Sequence, residues 1–180
     1  MKILLLIFIC ISLNADIKKK MFNLYQNEKY EKVCNLGYNA LDLNAKDEEY
    51  ISLYAFACLK SDYIDRLNIP ISLLKYSKES RSNAAYFSVI LMQKKLLYHA
   101  LVDGYDLSKL KLPTTNYILS KVFDLYSKIG KHENRSVYLF DDKDNPKVTY
   151  KLYLENDKKL SKMVIEEYYD TITIQRHVYW

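Results

Sequence analysis

Glycine is scarce in this sequence, which contains three: Gly37, Gly104 and Gly130. Phosphate-binding loops of the Rossmann and P-loop types need several glycines within a few residues, because the backbone must approach the phosphate closely. The glycines here are far apart along the chain, so neither type of loop can form. We therefore expect no nucleotide cofactor.

Histidine is equally scarce, and its distribution does not suggest a metal site. His99, His132 and His177 lie in separate segments, and none is three or four residues from another histidine or cysteine, as a metal site usually requires. We interpret each as a surface or boundary residue. Glu166 and Glu167 are adjacent on a predicted strand, so they point to opposite faces and cannot form a catalytic pair. The sequence predicts a non-enzymatic protein with no catalytic, cofactor-binding or metal-ligating residues.

One acidic segment has some features of a calcium loop but lacks its essential parts. Asp141, Asp142, Asp144 and Asn145 are clustered, yet the glycine and the closing glutamate of a twelve-residue calcium loop are missing. We interpret the segment as a solvated hairpin turn.

The chain also lacks a concentrated charge of one sign. Its 27 basic and 22 acidic residues give a net charge of +5, and they alternate along the sequence, whereas nucleic-acid-binding proteins gather basic residues into a patch. We therefore expect no nucleic-acid partner. Because 49% of the residues are hydrophobic, we expect a folded chain with a substantial core.

The amino-terminal residues have the layout of a secretory signal peptide. Lys2 precedes an apolar run over residues 3–13 that is interrupted only by Ser12, and the small residue Ala15 follows shortly afterwards. We expect cleavage between Ala15 and Asp16, so that residues 1–15 are removed and the rest is exported to the periplasm.

Two other interpretations of this segment are weaker. A membrane anchor needs about 20 apolar residues, and this run is far shorter. A lipid attached at Cys10 would need a small residue before the cysteine, where Ile9 stands. We expect no stable membrane span after cleavage, although the protein could be held at a membrane through a partner.

Residues 16–130 show the three- and four-residue spacing of amphipathic helices, with few helix breakers. The positions that indicate helical hairpins are Leu24, Tyr30, Val33, Ala40, Leu41 and Tyr63. Over about residues 17–76 this pattern resembles a tetratricopeptide repeat, since Tyr63 follows Tyr30 by 33 residues, close to the ~34 residues of that family. The resemblance implies an array of helical hairpins with a grooved surface for another protein. An unrelated two-helix hairpin would produce a similar pattern.

This segment departs from the family pattern at two informative positions. Glu28 occupies the turn position where the family usually has glycine, and Pro70 interrupts what would be the fourth helix. Further along, residues 84–101 are apolar almost all round, which is typical of a buried helix. A last helix is predicted from about Thr114 to Gly130.

After Asn134 the hydrophobic period changes to two, which is typical of strands. We predict strands over 136–141, 147–155, 159–168 and 171–179, separated by turns and paired as a four-stranded antiparallel β-meander with one packed face. The predicted fold class is α+β. Its predicted domains are the helical residues 16–130 and the meander over 135–180, packed on the helices or appended to them.

Cys34 and Cys58 are the two cysteines that remain after the predicted cleavage. They lie eleven residues before and thirteen residues after a turn near Ala45, so an antiparallel hairpin would place them at the same height. Gly37 on the first helix would allow a close approach. The pattern favours a disulfide in an oxidising compartment; the alternative is a pair of reduced, buried cysteines.

These features predict a protein-protein interaction or scaffold protein of the cell envelope that binds another envelope protein or peptide. The 18 tyrosines suit an interface, because tyrosine contributes a large contact area at small entropic cost. Two alternatives stay open. The chain could be an envelope hydrolase whose catalytic groups come from distant segments, or a small-ligand-binding protein that uses the β-meander. A cavity lined by several tyrosines or histidines would favour the last.

Overall fold

The computed structural model describes residues 16–129, 135–156 and 160–180. Residues 1–15, with Cys10 and the Ala15 side of the predicted cleavage site, lie outside the described residues, as do Gly130 and His132. Helices form the first part of the chain, and a four-stranded antiparallel sheet follows. The structure therefore confirms the predicted α+β class.

The chain folds into two compact units, one ending at Phe87 and the other beginning at Ser88. The boundary lies inside one long helix, whereas the predicted domain limits followed the change from helix to strand. The reason is that the second unit contains helical residues that pack on the sheet: the hydroxyl of Tyr98 donates a hydrogen bond to the carbonyl oxygen of Ser161 at 2.7 Å.

The first unit is helical. It contains a helix over 16–26 (α1), α2 (Tyr30–Asn39), α3 (Leu41–Asn44), α4 (Glu48–Lys60), a 3₁₀ turn (Ile64–Leu67), α5 (Asn68–Leu73) and the start of α6 (Lys78–Asp103). Helix α4 begins where it does because the Asp47 carboxylate accepts hydrogen bonds from the backbone N–H groups of Glu49 and Tyr50, at 3.1 and 3.0 Å. Such a cap satisfies amides that have no partner within the helix.

Helices α2 and α4 approach closely at Gly37. A Cβ atom at this position would lie 2.7 Å from Cδ2 and 2.8 Å from Cβ of Tyr54, which no side chain could accommodate without moving the helices apart. The carbonyl oxygen of Gly37 also accepts a hydrogen bond from the hydroxyl of the buried Tyr50, at 2.9 Å. The glycine therefore permits the close contact that the sequence analysis expected there.

The same turn geometry occurs twice in the first unit. The backbone is left-handed two residues after the end of α1, at Glu28 with φ of 56°, and two residues after the end of α4, at Asp62 with φ of 63°. The two positions are 34 residues apart. The hydrogen bonds at the two turns also match. At the first turn, the backbone N–H of Glu28 donates to the carbonyl oxygen of Tyr25, and that of Lys29 to the carbonyl oxygen of Leu24. At the second turn, the backbone N–H of Asp62 donates to Leu59, and that of Tyr63 to Cys58. Both ends are Schellman motifs, which usually have glycine where Glu28 and Asp62 stand.

Pro70 lies in the first turn of α5, which is only six residues long. A proline is tolerated there, because the backbone N–H groups of a first turn have no acceptor within the helix. The predicted interruption therefore takes the form of a short helix that begins at the proline-containing turn.

The second unit contains the rest of α6, helix α7 (Ile118–Ser127) and the strands β1 (Val137–Asp141), β2 (Val148–Asn156), β3 (Ser161–Tyr169) and β4 (Ile172–Tyr179). The sheet order is β1-β2-β3-β4, with every neighbouring pair antiparallel. The predicted meander is thus confirmed, with strand bounds shifted by one or two residues.

One face of the sheet packs on helices of its own unit. The rings of Tyr126 on α7 and Tyr138 on β1 meet edge to face, with centroids 5.0 Å apart. Helix α7 begins at Ile118 and not at the predicted Thr114. The preceding segment is held in a non-helical turn, in which the backbone N–H of Thr115 donates a hydrogen bond to the hydroxyl of Ser120 at 2.7 Å.

Candidate functional site

An open groove between α1 and α4 is the first candidate site. Its cavity of about 620 Å³ is lined by Lys18, Lys19, Phe22, Glu49 and Leu53; we call it the α1–α4 groove. Phe22 is 52% exposed, which is unusual for a phenylalanine, and Leu53 on the facing helix is partly exposed. The groove thus offers apolar side chains with charged residues beside them.

The solvent-facing stripe of α4 is apolar over part of its length. Leu53 and Phe56 follow Glu49 at helical spacing and are only partly buried, whereas an ordinary solvated stripe would be polar. The Phe56 ring contacts the Phe87 ring edge to face, with centroids 4.9 Å apart. Phe56 is therefore partly covered by α6, and Leu53 is the member of this stripe that borders the groove.

Ion pairs hold α1 against the start of α4. The ammonium group of Lys18 lies 3.0 Å from Oδ2 of Asp47 and 2.5 Å from Oε2 of Glu49. Partial burial lowers the pKa of Lys18, but the hydrogen bonds to Glu49 and Asp47 outweigh that effect and leave the pKa raised. Because the charged form is favoured, the contact holds the two walls of the groove at neutral pH.

The structure joins the two cysteines that the sequence analysis paired. Cys34 on α2 and Cys58 on α4 form a disulfide with a Cα–Cα distance of 4.8 Å, and both residues are fully buried. The guanidinium group of Arg66 lies 3.4 Å from Sγ of Cys34 and donates a hydrogen bond to the side chain of Asn35 at 2.7 Å. The bridge is therefore a structural cross-link, inaccessible to solvent.

Arg66 is itself held by aromatic rings. Its guanidinium carbon lies 4.7 Å from the ring centroid of Tyr63 and 5.2 Å from that of Tyr38, within the range of cation–π attraction. The hydroxyl of Tyr63 donates a hydrogen bond to Glu31 at 2.8 Å. This arrangement fixes the 3₁₀ turn on α2, and sequence reasoning did not identify it.

A cavity in the second unit is the other candidate site. Its volume is also about 620 Å³, and three of its lining residues are Tyr126, Tyr138 and Tyr153; we call it the tyrosine cavity. Other lining residues are Leu101, Val102, Asp103, Gly104, Arg135 and Asn156. A cavity lined by several tyrosines is the feature expected of a small-ligand-binding protein that uses the β-meander.

Two of these tyrosines are almost completely buried, with Tyr126 1% and Tyr138 6% exposed. Burial, reinforced by the neighbouring Tyr138 hydroxyl, raises the pKa of Tyr126 well above its usual range, so its hydroxyl stays protonated. The Tyr138 oxygen accepts a hydrogen bond from the backbone N–H of Arg135 at 3.4 Å. The Tyr126 hydroxyl in the cavity wall is thus uncharged.

The acidic segment at the β1–β2 connection is a turn, as predicted, but Asp142 is not solvated. It is only 9% exposed and accepts hydrogen bonds from Lys121 at 2.9 Å, from Tyr150, and from the backbone N–H groups of Asp144 and Asn145. The interpretation as a fully solvated turn is therefore wrong at Asp142, because α7 and β2 supply donors that fold over the carboxylate.

These hydrogen bonds determine the protonation states in the turn. Burial alone would raise the pKa of Asp142, but the bonds from Tyr150 and Lys121 outweigh burial and hold the pKa well below its usual range. Burial and the bond to Asp142 raise the pKa of the Tyr150 hydroxyl. A charged carboxylate therefore anchors the turn to α7.

The remaining predicted positions take separate places. Glu166 pairs with Lys151 across the sheet, and the adjacent Glu167 pairs with Tyr150 on the other face, so the two carboxylates do not meet. His99 is exposed, with Nδ1 2.7 Å from a carboxylate oxygen of Asp103. His177 is only 5% exposed, in contrast to the predicted surface or boundary position, because it lies on the packed face of β4.

Two further observations concern only the described residues 16–129, 135–156 and 160–180. No group of three or more histidine, cysteine, aspartate or glutamate side chains there could hold a metal ion. No helix there has both the length and the apolar character needed to cross a membrane.

Comparison with known proteins finds no matching family model, no similar curated protein and no similar solved structure.

Proposed function

We propose that this chain is an exported, non-enzymatic protein-protein interaction or scaffold protein of the cell envelope, and that its partner docks in the α1–α4 groove. The observation that carries the proposal is the exposed Phe22 facing Leu53 across an open, largely apolar groove. The fitting partner is an envelope protein or peptide that inserts an apolar side chain between them. Charged and polar groups of the partner, beside its inserted apolar side chain, would contact Lys19 and Glu49 at the edge of the groove.

The groove has the properties of a pre-formed binding site. The ion pairs of Lys18 join α1 to the start of α4, and the Cys34–Cys58 disulfide joins α4 to α2. Because the walls are held before a partner arrives, little conformational entropy is lost on binding. Full burial of a phenylalanine side chain contributes about 1.5–3 kcal/mol, so Phe22 is the side chain whose burial would contribute most.

The repeated turn supports a hairpin array of the tetratricopeptide type. The left-handed residues Glu28 and Asp62 follow α1 and α4 with matching hydrogen bonds, 34 residues apart, and this is the length of that repeat. Repeats of this kind use the surface between successive hairpins to bind other proteins. The α1–α4 groove lies between the first helices of two such hairpins.

The disulfide supports export. Disulfides form and persist in oxidising compartments and are rare in the cytosol. The Cys34–Cys58 bridge therefore agrees with delivery of the chain to the periplasm by the predicted signal segment.

Site-specific photo-crosslinking in the producing cell tests the proposal. A photoreactive phenylalanine analogue at Phe22 should form a defined crosslinked species with an envelope protein. The matched control is the same analogue at Leu43, a 73% exposed residue on α3. Equal crosslinking from both positions, or none from Phe22, would overturn the proposal.

Charge substitutions then test the contact with the partner identified in that way. We expect Phe22→Asp to weaken partner binding by about tenfold or more, as removal of one buried aromatic anchor does, whereas Leu43→Asp leaves it unchanged. Both variants should keep the wild-type melting temperature, because both side chains are exposed. Equal effects of the two variants on affinity would contradict docking in the groove.

A further inference from the structure

We infer that the tyrosine cavity of the second unit binds a small organic molecule through a positively charged ammonium group. The cavity is bounded by the last turn of α6, by the buried Tyr126 and Tyr138, and by residues at the start of β1 and the end of β2. The inference rests on this unit alone, so it stands or fails independently of the groove in the first unit.

The end of α6 supplies the negative charge. Leu101, Val102 and Asp103 are the last residues of the helix and line the cavity. The final carbonyl groups of a helix have no partner within it and together carry roughly half a negative charge. The Asp103 carboxylate adds a full charge at the same place, and the ring nitrogen Nδ1 of His99 lies 2.7 Å from its Oδ2 atom. An ammonium group has three N–H donors and no acceptor, so it matches this set of oxygens.

Gly104 keeps this end of the helix accessible. It has a left-handed φ of 71°, and a Cβ atom there would meet no atom within 4 Å. The backbone N–H of Gly104 donates to the carbonyl oxygen of Ala100 at 3.0 Å, so the carbonyl groups offered to a ligand are those of Leu101, Val102 and Asp103. A ligand could approach them directly.

The remaining walls suit an apolar or aromatic body. Tyr138, Tyr153 and Leu154 line the cavity together with Leu101 and Val102, and pockets of roughly 300–1,000 Å³ accommodate small-molecule ligands. The cavity of about 620 Å³ is well within this range. The Tyr153 hydroxyl donates a hydrogen bond to Glu166 at 3.1 Å and the Tyr138 hydroxyl accepts one from Arg135, so the charge at the end of α6 is what would orient a ligand.

Arg135 is the competing charge, since it also lines the cavity. It belongs to the segment before β1, whereas Asp103 and the helix carbonyls belong to α6, so the two charges come from different elements. An anionic ligand would depend on Arg135. An ammonium ligand would depend on Asp103 and would bind at least as well without the arginine. This opposite dependence decides between the two ligand charges.

Three probes of nearly equal shape test the inference on the full-length processed protein. 2-Phenylethylamine carries the ammonium group, 2-phenylethanol is its neutral counterpart and phenylacetate is an anion, and isothermal titration measures their affinities. We expect the amine to bind about tenfold more tightly than the alcohol, the factor that one charge-assisted hydrogen bond supplies. Phenylacetate should bind most weakly.

Variants assign the binding to the cavity. Asp103→Asn should weaken amine binding by about tenfold, while Arg135→Gln should leave it unchanged or strengthen it. Glu79→Gln, at an exposed position in the first turn of the same helix, is the control for a general charge effect. Phe22→Asp should not alter amine binding, which separates this result from the test of the groove.

Several outcomes would overturn the inference: no heat of binding with the amine at millimolar concentration, equal affinity for amine and alcohol, or tighter binding of phenylacetate that Arg135→Gln abolishes. Loss of amine binding in Asp103→Asn with an unchanged near-ultraviolet spectrum supports it. If amine binding were retained in that variant, the ammonium group would not lie at the end of α6.

Discussion

The two units of this chain are held together in different ways. In the first unit, helices pack closely at Gly37 and are joined covalently between Cys34 and Cys58. In the second unit, the described residues contain no such cross-link, and a buried carboxylate, Asp142, joins α7 to the sheet through Lys121 and Tyr150. The first arrangement depends on the oxidation state of sulfur and the second on the ionisation of a carboxyl group.

This difference shows that one chain can be made sensitive to two unrelated conditions. A disulfide stabilises mainly by restricting the unfolded chain, whereas a buried hydrogen-bonded carboxylate stabilises only while it is charged. Perturbations that affect one of these devices should therefore leave the other unit largely unchanged. Hydrogen exchange resolved by segment can measure both units in one sample.

The largest effect is expected from removal of the disulfide. The bridge spans 24 residues, for which the chain-entropy estimate is about 3 kcal/mol. The double variant Cys34→Ala/Cys58→Ala should lose this stability, and exchange protection should fall across α2 and α4. Protection of β2 and β3 should remain.

The control for this experiment is the wild-type protein with and without reductant under denaturing conditions. Thiol counting should find no free thiols before reduction and two afterwards in the protein that lacks residues 1–15. Two free thiols before reduction, or equal loss of protection in both units of the double variant, would contradict the comparison.

A smaller loss of stability, located in the second unit, is expected from Asp142→Asn. The substitution removes the charged acceptor of Lys121 and Tyr150, and loss of one partner of buried polar groups costs about 2 kcal/mol. Protection should fall in α7 and at the start of β2, while α2 and α4 keep theirs. Asp144→Asn is the matched control in the same turn, because Asp144 is exposed.

The stability that Asp142 contributes should depend on pH. Since the folded pKa of Asp142 lies below its unfolded value, its stabilisation is fully present above pH ~4 and is lost as the pH falls below the unfolded pKa. The difference between wild type and Asp142→Asn should therefore shrink on acidification. Asp124 and Glu166 also have lowered pKa values, so the variant keeps part of its acid dependence. A difference that does not change between pH 6 and pH 3 would contradict the role of the charge.

The smallest change in stability is expected from glycine substitutions at the two left-handed turns of the first unit. Glu28 has a left-handed backbone, which costs a non-glycine residue roughly 1–2 kcal/mol, partly offset by the larger unfolded-state entropy of glycine. Glu28→Gly should therefore stabilise the protein by about 0.5–1 kcal/mol. Asp62→Gly should gain less, because aspartate tolerates this conformation better. Destabilisation by Glu28→Gly in urea unfolding would contradict the assigned turn geometry.

Much of the fold could be predicted from periodicity. Alternation at Val148, Tyr150, Leu152 and Leu154 indicated the packed face of β2, and the structure buries the first three and leaves Leu154 partly exposed. The start of α7 could not be predicted, because the bond from Thr115 to Ser120 competes locally with helix formation. The boundary between the two units inside α6 could not be predicted either, because a continuous helical pattern does not show which other elements each half of the helix contacts.

The candidate sites were predictable only in part. The pairing of Cys34 with Cys58 followed from helix geometry near one turn, because both cysteines lie at similar heights in a hairpin. The burial of Asp142 did not follow, since its partners Lys121 and Tyr150 come from distant elements. The tyrosine cavity depends in the same way on Tyr126 and Tyr153, which are not neighbours in sequence.

The twin turns at Glu28 and Asp62 have a consequence for how such a chain can change its length. Because both joints have the same backbone conformation and hydrogen bonding, a copy of the 34 residues between them could be spliced in at Asp62 and would meet the same geometry at each end. We therefore expect the first unit to accept such a duplication at these two turns more readily than at other positions.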